Sequence, residues 1–328
     1  MSFYNGNFIL KQNTPFNFCL GSRSAGKSFF WKKYCVDNFL EHNRKFIFMR
    51  RYYTELEKIK DNLFSDIENA FNDISIAVKG DEIYINDKLA GIYVPLTSVY
   101  KYKSVNCEDY DTIVFDEFLP EDNLYLKKNI NYFYEVESCF NFYQTVARGY
   151  NQPIRENVKF IFISNTVTTA NPYFAYFGID KLLWQGAKKV KRKSFTLEIT
   201  NSNNKVITNS LFGDIIKDSA YGNYALSNDF KDDDTSHLFD RLPQNTTLLY
   251  NLHFENKMLG VYIDNDFNYY ISDKTNTNCK NVFSIFHDGL YPYFLVSKAS
   301  LNIKKSYLLN KVYFSNLRIK SLLHFITS

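Results

Sequence analysis

Cysteine is scarce in this sequence, with five residues in a chain of 328, all far apart and none in a CxxC pair. An odd number of isolated cysteines predicts a reduced, cytosolic protein without a disulfide framework or a structural zinc site. Glycine and proline are also few, at 12 and 7 residues, while 45% of the residues are hydrophobic. This composition excludes a collagen-like, low-complexity or disordered protein. The cysteines are Cys19, Cys35, Cys107, Cys139 and Cys279.

Long apolar stretches are absent as well. The sequence has no run of about 18 apolar residues, the length that a membrane-spanning helix needs. The first residues, MSFYNGNFILKQ, lack the basic-then-apolar pattern of a secretory leader. We therefore expect neither a signal peptide nor a membrane span. The net charge of +4, from 39 basic and 35 acidic residues, is too small to indicate nucleic-acid binding unless the basic residues cluster locally.

The length of 328 residues lies where single cores split, which predicts two domains. Residues 1–200 alternate short apolar strands with amphipathic stretches, the pattern of an α/β domain with a mostly parallel sheet flanked by helices. Residues 201–240 are polar and acidic and are predicted to form a linker or a small connecting segment. Residues 241–328 are predicted to form a small α+β unit.

The strongest segments give specific predictions for secondary structure. Strands are predicted at Phe16–Leu20, Lys45–Met49, Ile74–Val78, Glu82–Asn86, Gly91–Val94, Thr112–Phe115, Phe160–Ile163, Met258–Ile263 and Phe267–Ile271. Helices are predicted at Lys27–Leu40, Tyr132–Ala147 and Ile303–Phe325.

A phosphate-binding loop lies between the first predicted strand and the first predicted helix. The sequence GSRSAGKS fits G-x-x-x-x-G-K-[ST] in full, and its strand-to-helix context is the one the motif requires. In such a loop the backbone N–H groups surround the phosphates, Lys27 reaches the β- and γ-phosphates, and the Ser28 hydroxyl ligates Mg²⁺. The predicted ATP-binding residues are Gly21, Ser22, Arg23, Ser24, Ala25, Gly26, Lys27 and Ser28.

An acidic pair ends the strand Thr112–Phe115, as expected for the other half of a nucleotide site. Asp116 is predicted to hold the Mg²⁺ shell, and Glu117 to polarise the attacking water as general base. A kinase has no need of a water-activating glutamate here, so the pair favours hydrolysis. An exposed acidic pair at the end of a strand is the plainer alternative.

Four further residues are candidates for the site. Asn165 closes the next apolar strand and can hydrogen-bond the γ-phosphate or the water, although an asparagine also commonly begins a turn. Arg148, at the end of a predicted helix, can act as an arginine finger in a neighbour's site or simply face solvent. Arg50 and Arg51 follow the second strand and can contact phosphate or an adjacent subunit.

These motifs together resemble a known family. The segments GSRSAGKS, FIFMRRY, KLAGIYVPL, TIVFDEF, TVAR and FISN-x-V-x-x-x-NPYF are similar to those of the DNA-packaging motor ATPases of phi29-like tailed bacteriophages. The resemblance implies an additional-strand (ASCE) P-loop ATPase that uses ATP and Mg²⁺ to drive double-stranded DNA into a procapsid. It also implies a homo-oligomeric ring, a pentamer, at the portal vertex in the host cell cytoplasm, with the portal and a packaging RNA as candidate partners. It places the trans-acting arginine on Arg148.

The resemblance further implies a C-terminal domain related to a vestigial ribonuclease-H-like nuclease. The segment LGVYID then corresponds to the first strand of that fold, with Asp264 where a metal-binding carboxylate would lie. Two-metal cleavage needs several converging carboxylates, yet residues 289–328 contain no Asp or Glu. We therefore expect no nuclease activity, and we expect Asp264 to serve a hairpin turn.

Two basic clusters are candidate nucleic-acid contacts, or else ordinary solvated faces. A motor that moves any sequence is expected to grip phosphates only. The candidates are Lys188, Lys189, Lys191, Arg192 and Lys193 in the first cluster and Lys304, Lys305 and Lys311 in the C-terminal one.

Two other functions remain open from the residues alone. A P-loop ATPase that remodels DNA or protein complexes, such as a helicase loader or a conjugative-type pump, needs the same site. A structural nucleic-acid-binding protein that uses ATP only to set its conformation does not need Glu117 and Asn165, which disfavours it.

Overall fold

The computed structural model separates the chain into two compact units. The first comprises residues 1–126, 135–168 and 177–231, and the second comprises residues 127–134, 169–176 and 232–328. The structure describes residues 4–71, 73–103, 105–121, 124–126, 128, 131, 133–148, 154–200, 210–216, 230, 237–254, 257–285, 289–317 and 319–320.

A mixed sheet with a parallel centre organises the first unit. Its nine described strands lie in the order β3-β4-β5-β2-β6-β7-β1-β9-β8. Six neighbouring strands, β5-β2-β6-β7-β1-β9, pair in parallel. The pairs β3–β4, β4–β5 and β8–β9 at the two edges of the sheet are antiparallel. The prediction of a largely parallel α/β sheet is confirmed. The strands are β1 (Phe16–Leu20), β2 (Lys45–Arg50), β3 (Ile76–Lys79), β4 (Glu82–Ile85), β5 (Lys88–Pro95), β6 (Tyr110–Asp116), β7 (Lys159–Ser164), β8 (Lys189–Lys191) and β9 (Phe195–Ile199).

Helices precede, separate and follow these strands in the chain. The described α-helices before the second sheet are α1 (Asn7–Leu10), α2 (Lys27–His42), α3 (Tyr53–Ile59), α4 (Ser65–Glu68), α5 (Tyr134–Ala147), α6 (Pro172–Phe177), α7 (Ile179–Trp184) and α8 (Leu211–Ile216). A 3-10 helix covers Leu96–Tyr102. None of the helices in the described part of the chain has the length and apolar character that a membrane crossing requires.

The central strands are buried on both faces, which explains why their sequences are continuous apolar runs. Many of the phenylalanines pack there against one another. Phe162 of β7, for example, stacks on Phe18 of β1 and on its own neighbour Phe160, with ring centroids 4.8 and 4.4 Å apart. Such ring pairs contribute about 0.5–1.5 kcal/mol beyond simple area burial. The strand ends that bear polar residues are therefore held by a rigid core.

A five-stranded sheet organises the second unit. Its described strands lie in the order β13-β10-β11-β12-β14, with β10–β11–β12 antiparallel and β13 and β14 parallel to their neighbours. Residues 259–263 of the segment LGVYID lie in β11, and Asp264 directly follows this strand. The prediction that the segment is the first strand is wrong, because β10 precedes it in the chain and pairs with it as a hairpin. The strands are β10 (Thr247–Phe254), β11 (Lys257–Ile263), β12 (Tyr269–Ser272), β13 (Val282–Ser284) and β14 (Val312–Phe314).

The prediction of one helix over Ile303–Phe325 is wrong. Helix α9 covers Lys298–Leu308 and ends before Asn310, whose φ of 57° is left-handed and breaks the helix. The chain then enters β14, which pairs with β12. Residues 318 and 321–325 of the predicted helix lie outside the described residues, as does the predicted 201–240 segment apart from 210–216, 230 and 237–240.

Candidate functional site

The predicted phosphate-binding loop connects β1 to α2. Gly26 precedes the helix with a φ of 87°, a left-handed conformation that glycine adopts without strain. Gly21 is required for a different reason, because a Cβ atom there would lie 2.1 Å from the Thr200 Oγ1 atom at the end of β9. The absence of a side chain at Gly21 therefore lets the loop pass close to the carboxyl end of β9, before it leads into the N-terminus of α2.

Lys27 lies buried inside this loop. Its Nζ atom donates to the carbonyl oxygens of Gly21 at 3.0 Å and Ser22 at 2.7 Å, and to the Asn165 Oδ1 atom at 3.4 Å. Burial lowers the pKa of the Lys27 ammonium to about 8, against the raising influence of Cys19 and Asp116. An anionic ligand would stabilise the charged form that burial disfavours.

Asp116 and Glu117 lie at the carboxyl end of β6, next to the loop. The Ser28 hydroxyl lies 3.1 Å from Asp116 Oδ1, and the Arg50 Nη2 atom donates to Asp116 Oδ2 at 2.8 Å. Arg50 also forms an ion pair with the Glu117 carboxylate. Glu117 has a left-handed φ of 59°. A non-glycine residue rarely adopts this conformation, which turns the chain sharply just after the strand.

A cavity of about 350 Å³ joins these groups. The cavity is lined by residues 24–28 of the phosphate-binding loop and by Arg50, Asp116, Glu117 and Asn165, of which Asn165 directly follows β7. Because β1, β6 and β7 run parallel, their carboxyl ends meet at one edge of the sheet. The structure thus brings together Lys27, Ser28, Asp116, Glu117 and Asn165, and their chemical roles remain predictions.

The other predicted arginines occupy distinct positions. Arg23 forms an ion pair with Glu121, which follows the acidic strand end. Arg51 is only 2% exposed and makes a bidentate ion pair with Glu135 in the first turn of α5. Arg148 is exposed beyond the end of α5, and its Nη2 atom donates to the Lys103 carbonyl at 3.2 Å.

Glu135 was missed by sequence reasoning, although the sequence carries a signal for it. It shares a helical face with Cys139, Phe142 and Val146, at spacings of four, seven and eleven residues. All four of these side chains are buried in α5. An acid on an otherwise apolar stripe needs a buried partner, and Arg51 provides it.

The predicted nucleic-acid contacts lie on the surface. The first basic cluster covers β8 and the residues on either side of it. All five of its cations are exposed, and Lys189 pairs with Glu198 at 2.7 Å. On α9, Lys305 is exposed and Lys304 is half-buried. Lys311 lies between α9 and β14, and it donates to the Asp266 carbonyl at 3.1 Å. Their contact with nucleic acid remains a prediction.

Asp264 serves a turn between β11 and β12, as predicted. Its carboxylate accepts hydrogen bonds from the backbone N–H groups of Asp266 and Asn268, from the Asn268 amide and from the Tyr270 hydroxyl, all at 2.9 to 3.0 Å. Within the described ranges, no group of three or more His, Cys, Asp or Glu residues is arranged to hold a metal ion.

The carboxyl ends of β1, β6 and β7 form a place suited to bind phosphate groups. The N-terminus of α2, the buried ammonium of Lys27 and the paired Ser28 hydroxyl and Asp116 carboxylate all lie there. These features are typical of nucleotide-binding proteins of the α/β class. The chain belongs to the family of Podovirus DNA encapsidation proteins (Gp16), whose model matches residues 1–326.

Individual relatives agree with this assignment. The DNA packaging protein of Bacillus phage phi29 is 32% identical over 317 residues, which cover 94% of this chain and 90% of the relative. A chain of the bacteriophage phi29 viral genome packaging motor assembly is 29% identical with a TM-score of 0.70, covering 98% of this chain and 97% of that one. The crystal structure of the N-terminal domain of the phi29 DNA packaging ATPase is 36% identical with a TM-score of 0.53, covering 62% of this chain and 98% of that one. The resemblance to phi29-like packaging proteins and the role in genome packaging are confirmed.

Proposed function

We propose that this protein is an ASCE P-loop ATPase that hydrolyses ATP to drive viral double-stranded DNA into a procapsid. The observation that carries the proposal is the meeting of Lys27, Ser28, Asp116, Glu117 and Asn165 around one cavity. The strand order supports the ASCE assignment, because one strand, β7, lies between the P-loop strand β1 and the acidic strand β6.

Each residue has a role that its position suits. Lys27 and the loop N–H groups would hold the β- and γ-phosphates of ATP. Ser28 and Asp116 would hold Mg²⁺, since a hydroxyl and a carboxylate oxygen 3.1 Å apart are ligands that this ion accepts. Bound there, the ion would neutralise charge on the transferring phosphate. Glu117 would take a proton from the attacking water, and Asn165 would hydrogen-bond the γ-phosphate or that water.

The active unit is proposed to be a homo-oligomeric ring, a pentamer, in which Arg148 of one subunit completes the site of the next. Arg148 is exposed at the end of α5, and its hydrogen bond to Lys103 leaves it at the surface. The ring would act at the portal vertex of the procapsid in the host cell cytoplasm, with double-stranded DNA, the portal and a packaging RNA as proposed partners. The two basic clusters would contact nucleic-acid phosphates.

The second unit is proposed to be a non-catalytic, ribonuclease-H-like domain. The order β12-β11-β10-β13, with its antiparallel and parallel pairs, supports this relationship. The strand β14 pairs with β12 at the opposite edge from β13. The hydrogen bonds that occupy the Asp264 carboxylate support the proposed lack of nuclease activity.

The test uses Glu117→Gln in the full-length protein, assembled on portal-bearing procapsids with DNA. Without a general base, ATP turnover should fall about 10³-fold, and no DNA should become protected from added nuclease, while ATP still binds. The exposed residue Glu156 gives a matched control, because Glu156→Gln should package normally. Full turnover by Glu117→Gln would contradict the proposal. Equal stimulation of turnover by DNA with and without procapsids would indicate a remodelling ATPase instead.

A further inference from the structure

We infer that Arg51 and Glu135 are positioning residues, whose buried ion pair fixes the turn that carries Glu117 and joins this turn to the helix that ends at Arg148. The inference rests on the proposed function, since it takes Glu117 as the base and Arg148 as the residue that reaches a neighbouring site.

The ion pair itself is rigid. The Arg51 Nε and Nη2 atoms donate to the two carboxylate oxygens of Glu135 at 3.0 and 2.8 Å, with the side chains 2% and 0% exposed. The guanidinium carbon lies 5.6 and 5.5 Å from the centres of the Phe115 and Tyr125 rings. A bidentate pair enclosed by aromatic rings has one geometry, because any rotation would leave a buried charge without its partner.

The same guanidinium holds the turn at Glu117. Its Nη2 atom donates to the Phe118 carbonyl at 2.7 Å, and its Nη1 atom donates to the Glu117 carbonyl at 3.4 Å. Glu117 adopts a left-handed φ of 59°, a conformation that persists at such a residue only where the surroundings enforce it. The Phe118 N–H donates to the Ile163 carbonyl of β7 and holds the turn from its other side. Arg51 therefore helps set the direction in which the Glu117 carboxylate leaves the strand.

Glu135 extends this connection to α5. It lies in the first turn of a helix of 14 residues, and its Oε2 atom also accepts the Leu126 N–H at 2.6 Å. Arg148 follows the last residue of that helix, about 20 Å from its start. A shift of the Glu117 turn in one site would thus be transmitted through a rigid helix to the arginine at the surface.

The first experiment compares Arg51→Lys with Arg44→Lys. Lysine keeps the charge but cannot bridge two carboxylate oxygens and two carbonyls at once. Misplacement of a reacting group by about 1 Å can cost about 10²-fold in rate, so we expect kcat for ATP on procapsids to fall by about this factor while the affinity for a fluorescent ATP analogue is unchanged. Arg44 pairs with Asp111 and the Glu108 carbonyl at the amino ends of β2 and β6. The Arg44→Lys variant should therefore keep the wild-type kcat.

A double variant separates positioning from stability. Arg51→Met with Glu135→Met removes both buried charges, which often preserves or increases stability, but it also removes the hydrogen bonds to Glu117 and Phe118. We expect a folded protein, by circular dichroism and thermal unfolding, whose kcat remains low with normal nucleotide affinity. Wild-type kcat in either the double variant or folded Arg51→Lys would overturn the inference. If the wild-type protein does not hydrolyse ATP, or Glu117→Gln hydrolyses it normally, the proposed function itself fails.

Discussion

Arg50 donates to the Oδ2 atom of Asp116 at 2.8 Å, on the opposite carboxylate oxygen from the one that contacts Ser28. The same guanidinium pairs with Glu117. Two neighbouring carboxylates at the proposed Mg²⁺ site thus share a cation that the chain itself provides. This arrangement reduces their mutual repulsion in the nucleotide-free protein.

Removal of Arg50 should increase the metal affinity of the nucleotide-free protein. Arg50→Gln removes a positive charge that competes for Asp116, and we expect Mn²⁺, used as a paramagnetic stand-in for Mg²⁺, to bind on the order of tenfold more tightly. Electron paramagnetic resonance titration of free Mn²⁺ measures this directly. Arg44→Gln, which breaks a pair with Asp111 at the other end of β6, is the control and should leave Mn²⁺ affinity unchanged. An unchanged affinity in Arg50→Gln would contradict the expectation.

Mixed rings test whether Arg148 acts in a neighbouring site. Glu117→Gln subunits, which keep Arg148, are blended with Arg148→Ala subunits, which keep Glu117, and ATP turnover on procapsids is measured against the blending ratio. In the trans arrangement, Arg148 of the first variant completes sites in the second, so turnover should rise above that of either parent.

Blends of Glu117→Gln with Lys27→Ala provide the control for this experiment. Neither variant then has both of the residues proposed to bind phosphate and to activate water within one subunit, so no ratio should restore turnover. Absence of recovery in the Arg148→Ala blends at every ratio would argue against the trans arrangement.

The turn at Asp264 gives a prediction for stability and its pH dependence. Burial acts to raise the pKa of this carboxyl, but the hydrogen bonds from Asn268, Tyr270 and Asp266 outweigh it and lower the pKa below the ordinary 3.8. The stabilisation is therefore complete above pH 3.8 and is lost as the pH falls through the lower folded-state pKa. Asp264→Ala should lower the free energy of unfolding at pH 7 by about 1–3 kcal/mol, and the difference should shrink near pH 3.

Urea unfolding of the wild type and the variant at both pH values measures this difference. The matched control is Asp266→Ala, in the same turn, because the described hydrogen bonds of Asp266 use its backbone and not its carboxylate. Mg²⁺-dependent cutting of plasmid DNA that Asp264→Ala abolishes would show instead that the carboxylate is catalytic.

The elements around the P-loop could be predicted well because local signals and the fold agree there. The strand Phe16–Leu20 has the predicted bounds, and the helix that begins at Lys27 extends two residues beyond its predicted end to His42. The apolar runs that end in Asp116 and Asn165 are strands whose carboxyl ends converge. A glycine-rich loop and continuous apolar strands leave few other arrangements.

Contacts between distant residues could not be predicted in the same way. The pairing of Arg51 with Glu135 joins residues 84 apart, and only the folded sheet brings them together. The C-terminal segment was predicted as one helix over Ile303–Phe325, whereas pairing with β12 makes Val312–Phe314 a strand between helical residues. Tertiary pairing overrides local preference in such segments.

The position of β8 has a consequence for how copies of the chain can meet. Among the described strands it is the outermost of its sheet, with Val190 buried and its neighbours Lys189 and Lys191 exposed. An open strand edge is a template for pairing with another chain, and lysines along it prevent such pairing. Two such edges brought side by side would repel each other. Copies gathered at high local concentration are thus kept from fusing into a continuous sheet along β8, so this edge protects the protein against aggregation.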